Sequence, residues 1–136
     1  MCIRDSTGEV VSGTGAGHRF TFPTLNLSAE QELLPRRGVY VTRTWLDGEQ
    51  PSRRSVTNIG MRPTFSGSAL SVETHLLDAQ LSSPPKRIEV RFWERLRDEK
   101  KFNGPEELRA QIARDIARAD KFFSRLRRVR SIRQPV

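Results

Sequence analysis

The chain has 136 residues, 35% hydrophobic and 29% charged, with 24 Lys and Arg against 16 Asp and Glu and a net charge of +8. That length holds one ordinary domain of polar but foldable composition, neither disordered nor collagenous. No stretch of about 18 residues is both apolar and uncharged, so a transmembrane helix is excluded, and no apolar signal segment opens the chain. The single cysteine, Cys2, excludes an internal disulfide and a Cys-based zinc site, and it points to a reducing, cytoplasmic address.

Residues 1–7 carry no element signal, and regular patterning begins at Gly8. Glu9 to Ser12 reads as a short strand running into the loop Gly13-Thr14-Gly15-Ala16-Gly17, since so many glycines cost a strand too much chain entropy. His18 to Pro23 alternates as an extended segment. From Gly38 the dense β-branched and aromatic residues predict a long strand that ends at the turn Asp47-Gly48. Arg54 to Ile59 is the next strand, stopped by Gly60. Leu70 to Leu77 and Arg87 to Leu96 alternate as half-buried strands.

The period then changes. Leu108, Ile112, Ile116, Ala119, Phe123 and Leu126 recur every three or four residues, which is one helix face. Pro105 suits the first helical position, and Glu106 and Glu107 suit the first turn. Burying five such large side chains contributes roughly 8–15 kcal/mol gross, so the helix is expected to dock on the β region. Consecutive strands without crossover helices predict an antiparallel barrel or sandwich rather than a doubly wound sheet.

Residues 1–85 are neutral, with eight basic and eight acidic side chains, and residues 86–136 hold the surplus, with sixteen basic and eight acidic. Arg125, Arg127, Arg128, Arg130 and Arg133 form an acid-free run. Their proximity to a helix C-terminus complements the dipole, and no aromatic is interleaved for base stacking. The reading is therefore a basic tail at 127–136 rather than a nucleic-acid patch.

Four short segments can carry chemistry. Gly13 to Gly17 can cradle phosphates through backbone N–H groups, although a tight turn explains it as well. Thr24 and Asn26, two apart in Pro23-Thr24-Leu25-Asn26, offer hard oxygen donors that meet if the backbone between them bends; an Asx-turn is the plain alternative. Glu73 and His75 share the strand face opposite Val72 and Leu76, where a carboxylate can take a proton from a substrate hydroxyl. His75 alone reads as a satisfied polar side chain. Leu96 to Phe102 is a charged connector in which an aromatic flanked by cations can cover a flat heterocycle.

In this order the motifs resemble the riboflavin kinase family, specifically the kinase module of the bacterial bifunctional riboflavin kinase/FAD synthetase. The resemblance runs from about Gly8 to Phe123. It rests on Gly13–Gly17 with Phe22-Pro23-Thr24-Leu25-Asn26-Leu27, and on Leu33-Leu34-Pro35 with Gly38-Val39-Tyr40. Asn58-Ile59-Gly60-Met61-Arg62-Pro63-Thr64-Phe65, Val72-Glu73-Thr74-His75-Leu76-Leu77-Asp78 and Leu96 to Phe102 complete it. The chain departs from the family at His18, where arginine or lysine is usual, at Thr21, where glycine is, and at Leu25, where alanine is commoner.

The resemblance implies a six-stranded antiparallel Greek-key barrel with a C-terminal helix packed on it, the kinase domain spanning 8–126. It implies transfer of the ATP γ-phosphoryl group to the ribityl 5′-hydroxyl of riboflavin. Glu73 is then the catalytic base, and Thr24 and Asn26 hold Mg²⁺ and the ATP phosphates. Gly13, Gly15, Gly17 and His18 cover the nucleotide, with Leu76 and Asp78 near the adenine. Arg97, Lys100 and Phe102 belong to the loop closing on the flavin ring. It further implies an N-terminal FMN adenylyltransferase domain in the native chain. The alternatives are a catalytically silent flavin-binding barrel and a basic nucleic-acid-binding module.

Overall fold

The computed structural model describes residues 4–11, 24–29, 34–77, 81, 83 and 85–133, and leaves the side chains of 4–11, 28, 29, 62–64, 68 and 129–133 undescribed. Residues 1–101 and 102–136 form separate compact units.

The first unit is a sheet of antiparallel strands: β1 (Arg4–Val11), β2 (Thr24–Ala29), β3 (Gly38–Leu46), β4 (Arg53–Thr64), β5 (Gly67–Leu76) and β6 (Arg87–Arg97). Pairing runs β1-β2-β5-β4-β3-β6, and β6 pairs back onto β1, so each strand has two neighbours. The expectation of a mainly β fold with one C-terminal helix holds.

Several element bounds differ from those read in the sequence. β1 starts at Arg4, where Arg4 to Glu9 pair with β6 from Phe92 to Arg87. Polar residues without an apolar pattern form a strand there because the ladder satisfies their backbone groups. β2 runs straight through Thr24-Leu25-Asn26, where the sequence offers either a bend that brings the two oxygens together or an Asx-turn. β4 runs through Gly60 rather than stopping at it, because the missing side chain leaves room for Glu99.

Alternation sends Leu25, Leu27, Tyr40, Leu46, Ile59, Val72, Leu76, Ile88, Val90 and Phe92 into one apolar cluster. Tyr40 packs edge-on against Phe92 at 5.3 Å between centroids, and its hydroxyl donates to the Arg36 carbonyl at 2.5 Å. The same inward face carries a chain of fully buried hydroxyls. Thr44 bonds Ser55 at 2.8 Å, Ser55 bonds Thr42 at 2.7 Å, Thr42 bonds Thr57 at 2.8 Å and Thr57 bonds Thr74 at 2.9 Å. A hydroxyl can both donate and accept, so Ser55, Thr42 and Thr57 in the middle of this cross-strand row each bond twice within it.

The turn after β3 has Asp47 and Gly48 at positive φ, 49° and 72°, as a type I′ β-turn requires, and the Glu49 N–H donates to the Leu46 carbonyl at 2.9 Å to close it. The Asp47 carboxylate accepts from the backbone N–H groups of Lys86 and Arg87 at 3.0 and 2.9 Å, tying this turn to the start of β6.

The second unit is one helix, α1 (Pro105–Arg133), with Glu106 and Glu107 in its first turn as expected. The Gly104 carbonyl accepts the first helical bond from Leu108, and Glu107 reaches back to the Asn103 N–H at 3.1 Å. Ile112, Ala119 and Phe123 are buried at helical spacing. Asp115 is also buried on that stripe, accepting from the Gln111 amide at 3.0 Å, a polar member that apolar periodicity does not reveal. The helix continues past Leu126 to Arg133, so the expected tail is helical over most of its length. Arginine is a good helix former, and nothing before Pro135 breaks the turn.

Candidate functional site

Four of the residues singled out for chemistry, Thr24, Asn26, Glu73 and His75, gather where β2 and β5 lie side by side, with β4 on the other edge of β5. Leu25 and Leu27 enter the core, so Thr24 and Asn26 stand on the opposite face of β2. No bend is needed, because residues two apart on a strand already share a face. On β5, Val72, Thr74 and Leu76 are buried inward, which turns Glu73 and His75 to the other face.

Register then decides who meets whom. Thr24 stands opposite His75 and Asn26 opposite Glu73. On the other flank Asn58 of β4 stands opposite Glu73. Directly opposed Cβ atoms lie about 4.5–5.5 Å apart, so the two asparagines flank the glutamate within side-chain reach. The Thr24 hydroxyl lies 2.9 Å from His75 Nδ1, and His75 is buried, in keeping with a satisfied polar side chain.

The carboxamide oxygens of Asn26 and Asn58 are buried without a hydrogen-bond partner. Such an orphaned acceptor costs about 1–3 kcal/mol, and an ionised glutamate between them only accepts. The row is thus a set of hard oxygens that suits a donor hydroxyl or a divalent cation. Among the described residues no group of three or more His, Cys, Asp and Glu could hold a metal. Thr24 and Asn26 fit an ion that takes its remaining ligands from phosphate and water.

A clamped segment borders this face. Glu99 accepts from the Met61 N–H at 3.1 Å and from Arg37 at 3.0 and 2.5 Å, and its carboxylate lies where a Gly60 side chain would be. Gly60 and Asn58 share one face of β4. Arg95 bonds Asp98 at 2.5 Å and the Arg37 carbonyl at 2.8 Å. The hydrogen bond and charge of Arg95 hold the exposed Asp98 carboxyl below its ordinary value, opposed by slight desolvation. A depressed folded value means the pair's contribution is complete above the ordinary carboxylate range and fades as pH falls through the lowered value. The tether therefore stands across the neutral range.

The other expected site residues are distributed as follows. Leu76 is wholly buried in the core, so its side chain cannot meet a ligand and any contact there falls to the backbone. Arg97 ends β6 and donates to the Asp98 carbonyl at 2.9 Å, and Lys100 is exposed three residues on. Phe102 opens the helical unit. Gly13, Gly15, Gly17, His18 and Asp78 lie outside the described residues. Sequence reasoning missed Asn58 and Glu99. Alternation from the apolar Ile59 could have placed Asn58 away from the core, but nothing local announces that Glu99 reaches Gly60.

A family model described as "Flavokinase: Riboflavin kinase" matches residues 4–123. The bifunctional riboflavin kinase/FMN adenylyltransferase of Escherichia coli (strain K12) is 38% identical over 117 residues, 86% of this chain and 37% of that protein. Its counterpart from Bacillus subtilis (strain 168) is 34% identical over 125 residues, 89% of this chain and 39% of that protein. A solved structure described as a macrolide-efflux protein from Streptococcus pneumoniae superposes with a TM-score of 0.71 at 28% identity, covering 82% of this chain and 36% of that one. The chain thus spans a little over a third of these relatives' length. With a match over residues 4–123 and the motif residues set in one row, the chain belongs to the riboflavin kinase family.

Proposed function

We propose that the chain transfers the γ-phosphoryl group of ATP to the ribityl 5′-hydroxyl of riboflavin, giving FMN and ADP. The observation that carries this is the register of β2 on β5, with Asn26 opposite Glu73 and Thr24 next along the same face. Phosphoryl transfer needs alignment and charge neutralisation more than covalent help from the protein. Glu73 takes the proton from the 5′-hydroxyl as its oxygen bonds to phosphorus. The bond from phosphorus to the β,γ-bridging oxygen breaks, and ADP leaves. Thr24 and Asn26 hold Mg²⁺ with the phosphates; the ion when bound neutralises charge on the transferring group. His75 fixes the Thr24 hydroxyl from the neighbouring strand.

In the same reading Gly13, Gly15, Gly17 and His18 cover the nucleotide, the Leu76 backbone and Asp78 lie by the adenine, and Arg97, Lys100 and Phe102 face the flavin ring. The scaffold is a six-stranded Greek-key barrel, a reading supported by the strand order β1-β2-β5-β4-β3-β6. The catalytic region ends by residue 126, with 127–136 outside it. An adenylyltransferase domain, as the relatives' descriptions name, and a cytoplasmic address complete the proposal; no helix among the described residues is long and apolar enough to cross a membrane.

Incubation with riboflavin and Mg-ATP, followed by chromatography, should yield FMN, and chelation should stop it. Riboflavin that binds but is not converted would instead identify a silent flavin-binding module.

A further inference from the structure

Glu73 has an asparagine on each side in the ladder, Asn26 on β2 and Asn58 on β4, and both carboxamide oxygens are buried without a partner. The two flanks differ. Beside Asn26 on its own strand stands Thr24, the other oxygen proposed for the cation. Beside Asn58 on its own strand is Gly60, over which the Glu99 carboxylate, from within the proposed flavin loop, lies. Two strand spacings, roughly 10 Å of backbone, separate Asn58 from Asn26, which puts Asn58 on the far side of the base from the cation pair.

A polyol reaching from the Glu99 side to Glu73 passes Asn58, and its hydroxyls are the donors that an orphaned carbonyl oxygen lacks. The terminal torsion of asparagine is broad and soft, so a small turn presents that oxygen to a ligand. We infer that Asn58 binds the ribityl chain: its carboxamide oxygen accepts from a ribityl hydroxyl and aims the terminal hydroxyl at Glu73. This rests on the kinase reading above and adds a substrate contact to it.

The test uses the full chain with Asn58→Ala and with Asn58→Val, the latter suited to a strand should the former fold poorly. Riboflavin affinity is read by fluorescence quenching, beside the KM values for riboflavin and Mg-ATP. Lumiflavin, which keeps the ring system and lacks the ribityl chain, is the second ligand. Expected are an about 10-fold lower riboflavin affinity with an about 10-fold higher riboflavin KM, an unchanged Mg-ATP KM and an unchanged lumiflavin affinity. A merely structural asparagine would weaken both flavins alike. That result, wild-type riboflavin binding in a folded variant, or a raised Mg-ATP KM in its place would overturn the inference. Wild-type protein that binds riboflavin without making FMN would sink the kinase reading while the two binding measurements still decide Asn58. Wild-type protein that binds no riboflavin would sink both.

Discussion

Glu73 and Asn26 are neighbours across one strand pairing and differ in what they can give. A carboxylate accepts a proton, whereas a carboxamide only offers oxygen and N–H. Glu73→Gln keeps the shape and should lower kcat by roughly 10²–10⁴ with little change in riboflavin binding. Asn26→Ala removes an oxygen proposed for the cation, so it should weaken Mg-ATP binding and turnover together. Steady-state kinetics with each substrate varied separates the two patterns. A Glu73→Gln variant near wild-type turnover would remove that residue from the chemistry. The asparagine and glutamate motifs were legible in the sequence as oxygen donors. Their being opposite one another was not, since strands far apart in sequence had first to pair.

At the scale of elements, the sheet is held by more than its apolar face. Thr57 sits in the middle of the buried hydroxyl row, bonded to Thr42 and Thr74. Thr57→Val keeps the branched shape and leaves the Thr74 hydroxyl without its Thr57 partner. The expected loss is about 1–3 kcal/mol, seen as a lower denaturant midpoint at unchanged slope. An unchanged midpoint would mean that the row adds nothing to stability. Period 2 in β3, β5 and β6 and period 3.6 in α1 were readable because alternation and helical spacing are local. Gly60 misled because glycine marks both strand ends and close approaches, and Glu99, which distinguishes the two, is 39 residues further along the chain.

For the whole molecule, the charge surplus lies in residues 86–136, and its last arginines continue α1 to Arg133. Arg127 and Arg128 are exposed. Deleting Arg127 to Val136 should leave FMN formation intact, because exposed charges outside a site act only through a field that physiological salt screens beyond about 8 Å. Loss of FMN on truncation, assayed beside the full chain with riboflavin and excess ATP, would place these turns within the working fold.

Length, charge, alternation, helix capping and the ordered motifs are properties of neighbouring residues, and the sequence by itself determined them: a mainly β chain, one C-terminal helix and a family resemblance. Tertiary structure decided the rest. It set Asn26, Glu73 and Asn58 in one row, put Thr24 against His75, ran hydroxyls through the core and laid Glu99 on Gly60. Each of these depends on which strands pair and in what register, and a shift of one residue would turn every such side chain to the opposite face. Register is settled by the whole sheet burying its apolar side at once.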